Sequence, residues 1–167
     1  MQVILVRHAI AHERNHGRWP DDSQRPLTAE GVRKFRKAAR GIVTCLPTAP
    51  ALLTSPYVRA RETAAMLGKI AKLPKAVECR ELAASESAQR GFVLLRTPKE
   101  RAVILVGHEP WLSEFLAAAL AGANARFKIE FKKGGAACIE FDGRPEPGRG
   151  TLRWLLPPRV LRAMAAR

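Results

Sequence analysis

The side chains best suited to chemistry in this 167-residue chain are two histidines and two arginines in three separated stretches, Arg7-His8, Arg59 and His108. Each stretch lies beyond a short aliphatic run: Val3 to Val6, Ala51 to Thr54 and Ala102 to Val106. In open parallel α/β sheets, ligands bind beyond the carboxyl ends of the strands, where loops and helix N-termini converge. The pattern therefore predicts one crevice that gathers Arg7-His8, the Ser55 to Arg61 segment, Glu81 and the Gly107-His108-Glu109-Pro110 turn. Such a set suits phosphoryl transfer, because neutral imidazole attacks phosphorus while fixed cations hold the equatorial oxygens. Helix N-termini after Ser55 and near Pro110 would add N–H donors and positive dipole ends around the anion. That chemistry demands no cofactor and no metal.

The elements that must position these groups are legible as alternating strands and helices. Val3 to Val6 is too brief for a helix and reads as a buried strand. From His12 to Pro26 the composition turns to Asn, Gly, Pro, Asp and Ser, which marks a loop. Thr28 offers an N-cap, with Glu30 in the first turn, for a helix to about Cys45. Ala51 to Thr54 predicts a second strand, and Ser55-Pro56 a cap and first turn for a helix to about Ala71. A weaker extended segment near Val77 precedes a predicted helix from Glu86 to Arg96. Ala102 to Val106 is the clearest central strand, followed by a helix from about Pro110 to Gly122. Phe127 to Phe131, Ala136 to Phe141 and Thr151 to Leu155 read as late strands, and Pro157-Pro158 as the start of a short basic tail. The expected architecture is a single α/β domain over residues 1–167, with a mostly parallel central sheet, helices on both faces and antiparallel strands added late.

Composition narrows the setting. Hydrophobic residues make up 47% and charged residues 26%, the balance of a globular protein rather than a disordered or fibrous one. No apolar run reaches spanning length, so no membrane partner is expected. Cys45, Cys79 and Cys138 are odd in number and lack a Cys-x-x-Cys pair, which points to a reducing cytoplasm. The net charge of +14 favours anionic partners, although most surface Lys and Arg read as ordinary solvation. His12-Glu13-Arg14-Asn15-His16 fits the letters of the H-E-x-x-H zinc motif. That motif needs a helix, whereas Asn15, Gly17 and Pro20 predict a loop, so zinc is not expected.

Leu5-Val6-Arg7-His8-Ala9, the Thr54 to Ala64 segment with its Ser-Pro-x-x-Arg-Ala core, and Val106 to Pro110 together resemble the histidine phosphatase superfamily, and within it the SixA-type protein-histidine phosphatases. Arg25 to Gly31, Glu81-Leu82, Gly134 to Ala136 and Leu152 to Pro158 are similar to that branch too, so the likeness spans nearly the whole chain. The resemblance implies a phosphoglycerate-mutase-like fold and a cytoplasmic hydrolase of signal transduction. It implies that His8 becomes phosphorylated, that Arg7, Arg59 and His108 grip the phosphate, and that water releases it. Glu81 resembles the acid position of larger members, without the helical insertion that shapes their pockets. Ala9 stands where the wider superfamily has glycine, and its methyl group is expected to be tolerated.

Protein phosphohistidine is the substrate that the resemblance implies. Residue chemistry alone accommodates any phosphorylated compound, so small phosphomonoesters or phosphoanhydrides form the enzymatic alternative. A third reading is a non-catalytic binder of phosphorylated protein or nucleic acid, permitted by the charge. No helix-turn-helix, RNP or zinc-finger pattern supports nucleic acid, and Trp19, Trp111 and Trp154 are too dispersed to form a stacking platform. Arg61 and Glu109 read as ordinary helix residues, and Ser55 as a cap.

Overall fold

The computed structural model describes residues 1–47, 50–124 and 128–165. Six strands form one sheet in the order β3-β2-β4-β1-β5-β6. They are β1 (Gln2–Arg7), β2 (Ala51–Thr54), β3 (Val77–Glu78), β4 (Ala102–Gly107), β5 (Ala136–Glu140) and β6 (Thr151–Leu156). The first four run parallel, with Arg7 opposite Gly107 and Thr54 opposite Val106, so their carboxyl ends finish level. β5 pairs antiparallel to β1, and β6 antiparallel to β5. The fold is therefore a mixed α/β sheet, mostly parallel, as the alternation predicted.

Side chains alternate across the sheet and divide the core into two layers. Val3 and Leu5 of β1, with Val103 and Leu105 of β4, pack against Leu112, Phe115 and Leu116 of α4 (Trp111–Ala121). Ile4, Val6, Ile104 and Val106 face the other way, toward α1 (Ala29–Val43), α2 (Val58–Ala71) and α5 (Pro158–Met164). All eight of these strand residues are wholly buried. Burial of each such aliphatic side chain stabilises the fold by about 1.5–3 kcal/mol before the cost of ordering it. The two strands that precede His8 and His108 are thus the most firmly held part of the sheet.

Local sequence explains the helix that follows the long loop. Thr28 is extended and its hydroxyl accepts from the Gly31 N–H at 2.9 Å, which fixes where α1 begins. Gly31 is required there, since a Cβ would come within 2.0 Å of the Ile10 carbonyl oxygen. The helix ends at Val43, two residues before the expected stop.

Four expectations need correction. Ser55 is not the cap of α2, which starts at Val58 after Tyr57. The Ser55 hydroxyl does accept from the Tyr57 N–H at 3.3 Å, but it belongs to the turn before the helix. The predicted helix from Glu86 to Arg96 shrinks to α3, Arg90–Leu94, because residues 83–89 turn rather than coil regularly. Of the predicted strand from Phe127 to Phe131, Phe127 lies outside the described residues, and residues 128–131 form no strand; they cross the β1 end as a loop, with the Phe131 carbonyl bound to Arg7. The basic tail is helical instead, with Pro158 in the first turn of α5, where its missing N–H costs nothing.

Candidate active site

The level strand ends bring the sequence-predicted groups together. His8 leaves β1 and His108 leaves β4, with their ring centroids 5.0 Å apart and tilted by 52°. Both are buried, at 5% and 1% exposure. Arg59 enters from the first turn of α2 and is equally buried, its guanidinium 4.9 Å from the Tyr57 ring centroid. Tyr57 also lies against His108, centroid to centroid 4.8 Å. Arg7, the last residue of β1, donates from Nη1 to the Phe131 carbonyl.

Hydrogen bonds settle how the imidazoles are presented. His8 Nδ1 lies 2.7 Å from the Ala9 carbonyl, an oxygen that can only accept. Nδ1 therefore carries the proton, and in the neutral ring Nε2 keeps its lone pair. The Ala9 N–H donates to the Thr63 hydroxyl at 3.0 Å, and that hydroxyl donates to the Arg59 carbonyl at 2.6 Å. His108 Nε2 is 2.8 Å from the Ser55 hydroxyl, while its Nδ1 is buried without a partner. Ser55 thus holds His108 rather than capping a helix.

Charge is distributed to keep both rings neutral. Burial pushes the His8 pKa well below the ordinary histidine value, and neighbouring His108, Arg59 and Arg7 push it further against the Ala9 hydrogen bond. Burial, then Arg59, lowers His108 to about 3, with Asp22 opposing. Burial also lowers both arginine values, yet a guanidinium stays charged at any relevant pH. Arg7 Nε and Arg59 Nε are buried and lack partners among the described residues. Fixed cations with unspent donors beside two neutral imidazoles form a cradle for a tetrahedral oxyanion.

Asp22, which the sequence reading did not single out, completes this arrangement. Asp22 accepts from Arg25 Nε at 2.8 Å through one oxygen and pairs with Arg59 Nη2 at 3.1 Å through the other. Its backbone carbonyl takes Arg59 Nη1 at 2.8 Å. The Arg25 hydrogen bond, and then the Arg59 charge, hold the Asp22 carboxyl well below the usual carboxylate range. Only the Arg25 to Gly31 segment hinted at this tie, and Asp22 itself sat in a loop without periodicity. Glu109 is half-buried; Ser113 donates to one of its oxygens at 2.5 Å, the other has no partner, and burial raises its pKa.

Glu81 occupies a 3-10 turn, Arg80–Leu82, and is half-exposed. Among the described residues it makes no side-chain hydrogen bond or ion pair, so no bonded link joins it to the histidines. Arg61 pairs at 3.6 Å with Glu78 on the exposed side of α2. The Ala9 methyl is buried in the layer that includes Ala60 and Ala64 of α2. His12 to His16 is a loop running into a turn, not the helix that a zinc motif needs.

A family model for the histidine phosphatase superfamily (branch 1) matches residues 3–83. An uncharacterized protein of Picosynechococcus sp. is 30% identical over 138 residues, which cover 81% of this chain and 82% of that protein. The structure of the protein histidine phosphatase SixA complexed with tungstate matches with a TM-score of 0.79 at 26% identity, covering 96% of this chain and 99% of that one. The alpha-ribazole phosphatase from Shigella flexneri shares the fold at TM-score 0.71 and 18% identity, over 95% of this chain and 97% of its own. The chain belongs to the histidine phosphatase superfamily and is a phosphatase of that class.

Proposed function

We propose that this phosphatase removes phosphate from histidines on proteins through a phosphohistidine of its own at His8. The carrying observation is the free lone pair at His8 Nε2: His8 Nδ1 is committed to the Ala9 carbonyl, and burial keeps the ring neutral. In this reading Nε2 forms a bond to phosphorus as the bond to the leaving imidazole breaks. Arg7, Arg59 and His108 hold the phosphoryl oxygens, and water then cleaves the His8 nitrogen–phosphorus bond. The likeness to SixA at 26% identity supports the choice of phosphohistidine. Glu81 is assigned no essential proton here, because imidazole leaves more readily than an alkoxide and gains less from an acid.

Incubation with a labelled phosphohistidine protein, quenched in alkali, tests the reading. Label is expected on His8, and His8→Asn should abolish both label and turnover. Label on another residue, or undiminished turnover by the variant, would overturn it. A second reading, hydrolysis of small phosphomonoesters, has one observation in its favour: Glu109 brings a carboxyl that burial holds toward its protonated form, coupled to Arg7. Faster turnover of sugar phosphates than of a phosphohistidine peptide would select it.

A further inference from the structure

Beside the cradle, a groove of about 610 Å³ runs from Arg7 and Ala9 between α1 and α5. Its floor is apolar, made by Phe35 and Ala38 of α1 and by Pro157 and Pro158 at the start of α5. Every charged residue that lines it is a cation. Two of these, Lys34 and Lys132, already pair with Glu30 and Glu130. Lys133, Arg159 and Arg162 form no ion pair among the described residues, and none of the roles assigned above uses them. We propose that this groove docks an acidic, partly apolar segment of the phosphoprotein substrate, with Arg159 and Arg162 gripping its carboxylates while the phosphoryl group lies at His8.

The proposal rests on the phosphatase reading and adds the partner's chemistry to it. Continuity supports it, since Arg7 and Ala9 belong both to the cradle and to the groove wall. At the junction, the loop carrying Lys133 is tied down by the Gly134 N–H, shared between the carbonyls of Arg7 and His8 at 3.1 Å each. Lys133 thereby stays on the groove wall next to that anchored glycine and close to where β1 ends in Arg7. An anion leaving the phosphate cradle along this wall therefore meets Lys133, Arg159 and Arg162, which hold no ion pair among the described residues. The floor argues for polypeptide over nucleic acid: it offers aliphatic and proline surface, with Phe35 buried to 2% exposure and unable to stack a base. Charge complementarity of this kind contributes selectivity and association rate ahead of raw affinity.

Two synthetic phosphohistidine peptides of equal length test it, one flanked by Glu and Leu and the other by Ser and Gly. Wild type should turn over the acidic peptide with a kcat/KM about tenfold higher, through KM, and the advantage should shrink as salt rises. Arg159→Glu with Arg162→Glu should erase that preference and leave the Ser/Gly peptide unchanged. The Arg159→Gln, Arg162→Gln pair guards against a folding defect and should give an intermediate preference. Equal rates in wild type, or a preference that survives in the variants, would overturn the docking site. If neither peptide is turned over, the phosphohistidine reading fails, and anisotropy of the labelled unphosphorylated acidic peptide still decides the groove. Binding lost in the Glu pair supports it; no binding, or binding of a single-stranded oligonucleotide instead, rejects it.

Discussion

Among single side chains, Asp22 holds three arginines, Arg14 through one oxygen, Arg59 through the other and Arg25 through both, and of these Arg59 belongs to the cradle. A hydrogen bond to a charged group contributes about 1.5–3 kcal/mol when well made, less here because Asp22 is partly exposed. Asp22→Ala leaves Arg59 one anchor, the backbone carbonyl, and should lower kcat/KM about tenfold, mainly through KM. Steady-state kinetics on a phosphohistidine peptide would check this, and a gain in activity would contradict a positioning role. That Arg7, His8, Arg59 and His108 would gather at one edge of the sheet was legible in the sequence, because each lies at or a few residues beyond the end of a strand that its aliphatic run announces. Asp22 was not, since its partners are chosen by the path of a loop from His12 to Pro26 that has no period. Glu109 read as an early helix acid, and only burial revealed its unpartnered oxygen.

Secondary-structure elements show where local signals suffice and where packing decides. β2 matches its predicted limits, and α1 keeps its cap, because each is specified within a few residues. α5 was missed: seven residues that begin at Pro158, directly after Pro157, and carry Arg159 and Arg162 look like a tail until a partner helix is supplied. That partner is α1, where Gly41 lets the helices touch; a Cβ there would fall 1.9 Å from the Leu161 carbonyl oxygen. Alanine normally gains about 1 kcal/mol over glycine in a helix interior. Here the sign should reverse, with Gly41→Ala destabilising by about 1–3 kcal/mol as α5 is pushed away. Thermal unfolding should show a lowered Tm, whereas an unchanged or raised Tm would mean that the two helices can part at no cost. α3 fell short of its expected length for a comparable reason. Gly91, inside it, packs directly onto Phe115 and Trp111, so the segment follows α4 rather than its own pattern.

For the molecule as a whole, acid should be the destabilising direction. His8 and His108 have folded pKa values below the unfolded value of about 6.5, so the unfolded chain binds more protons beneath it. Their contribution is complete above about pH 6.5 and declines as the pH falls toward the His108 value of about 3. The Asp22 contribution has the usual carboxylate sense, present above an unfolded pKa of about 3.9 and lost below it. The charge of +14 grows as carboxylates protonate, and self-repulsion acts in the same direction. Urea midpoints should therefore fall between pH 7 and pH 5, before most carboxylates titrate, and His108→Asn should flatten that slope. A midpoint constant over this interval would show that the histidines are solvated in the native state.

Thr63, wholly buried in α2, accepts a hydrogen bond from the Ala9 N–H and donates one from its hydroxyl to the Arg59 carbonyl. One oxygen atom thereby sets the spacing between the backbone next to His8 and the turn that bears the guanidinium. The two sides of the reaction centre cannot wander independently: a drift in either is handed to the other through that hydroxyl, so their separation is preset before any phosphoryl group arrives.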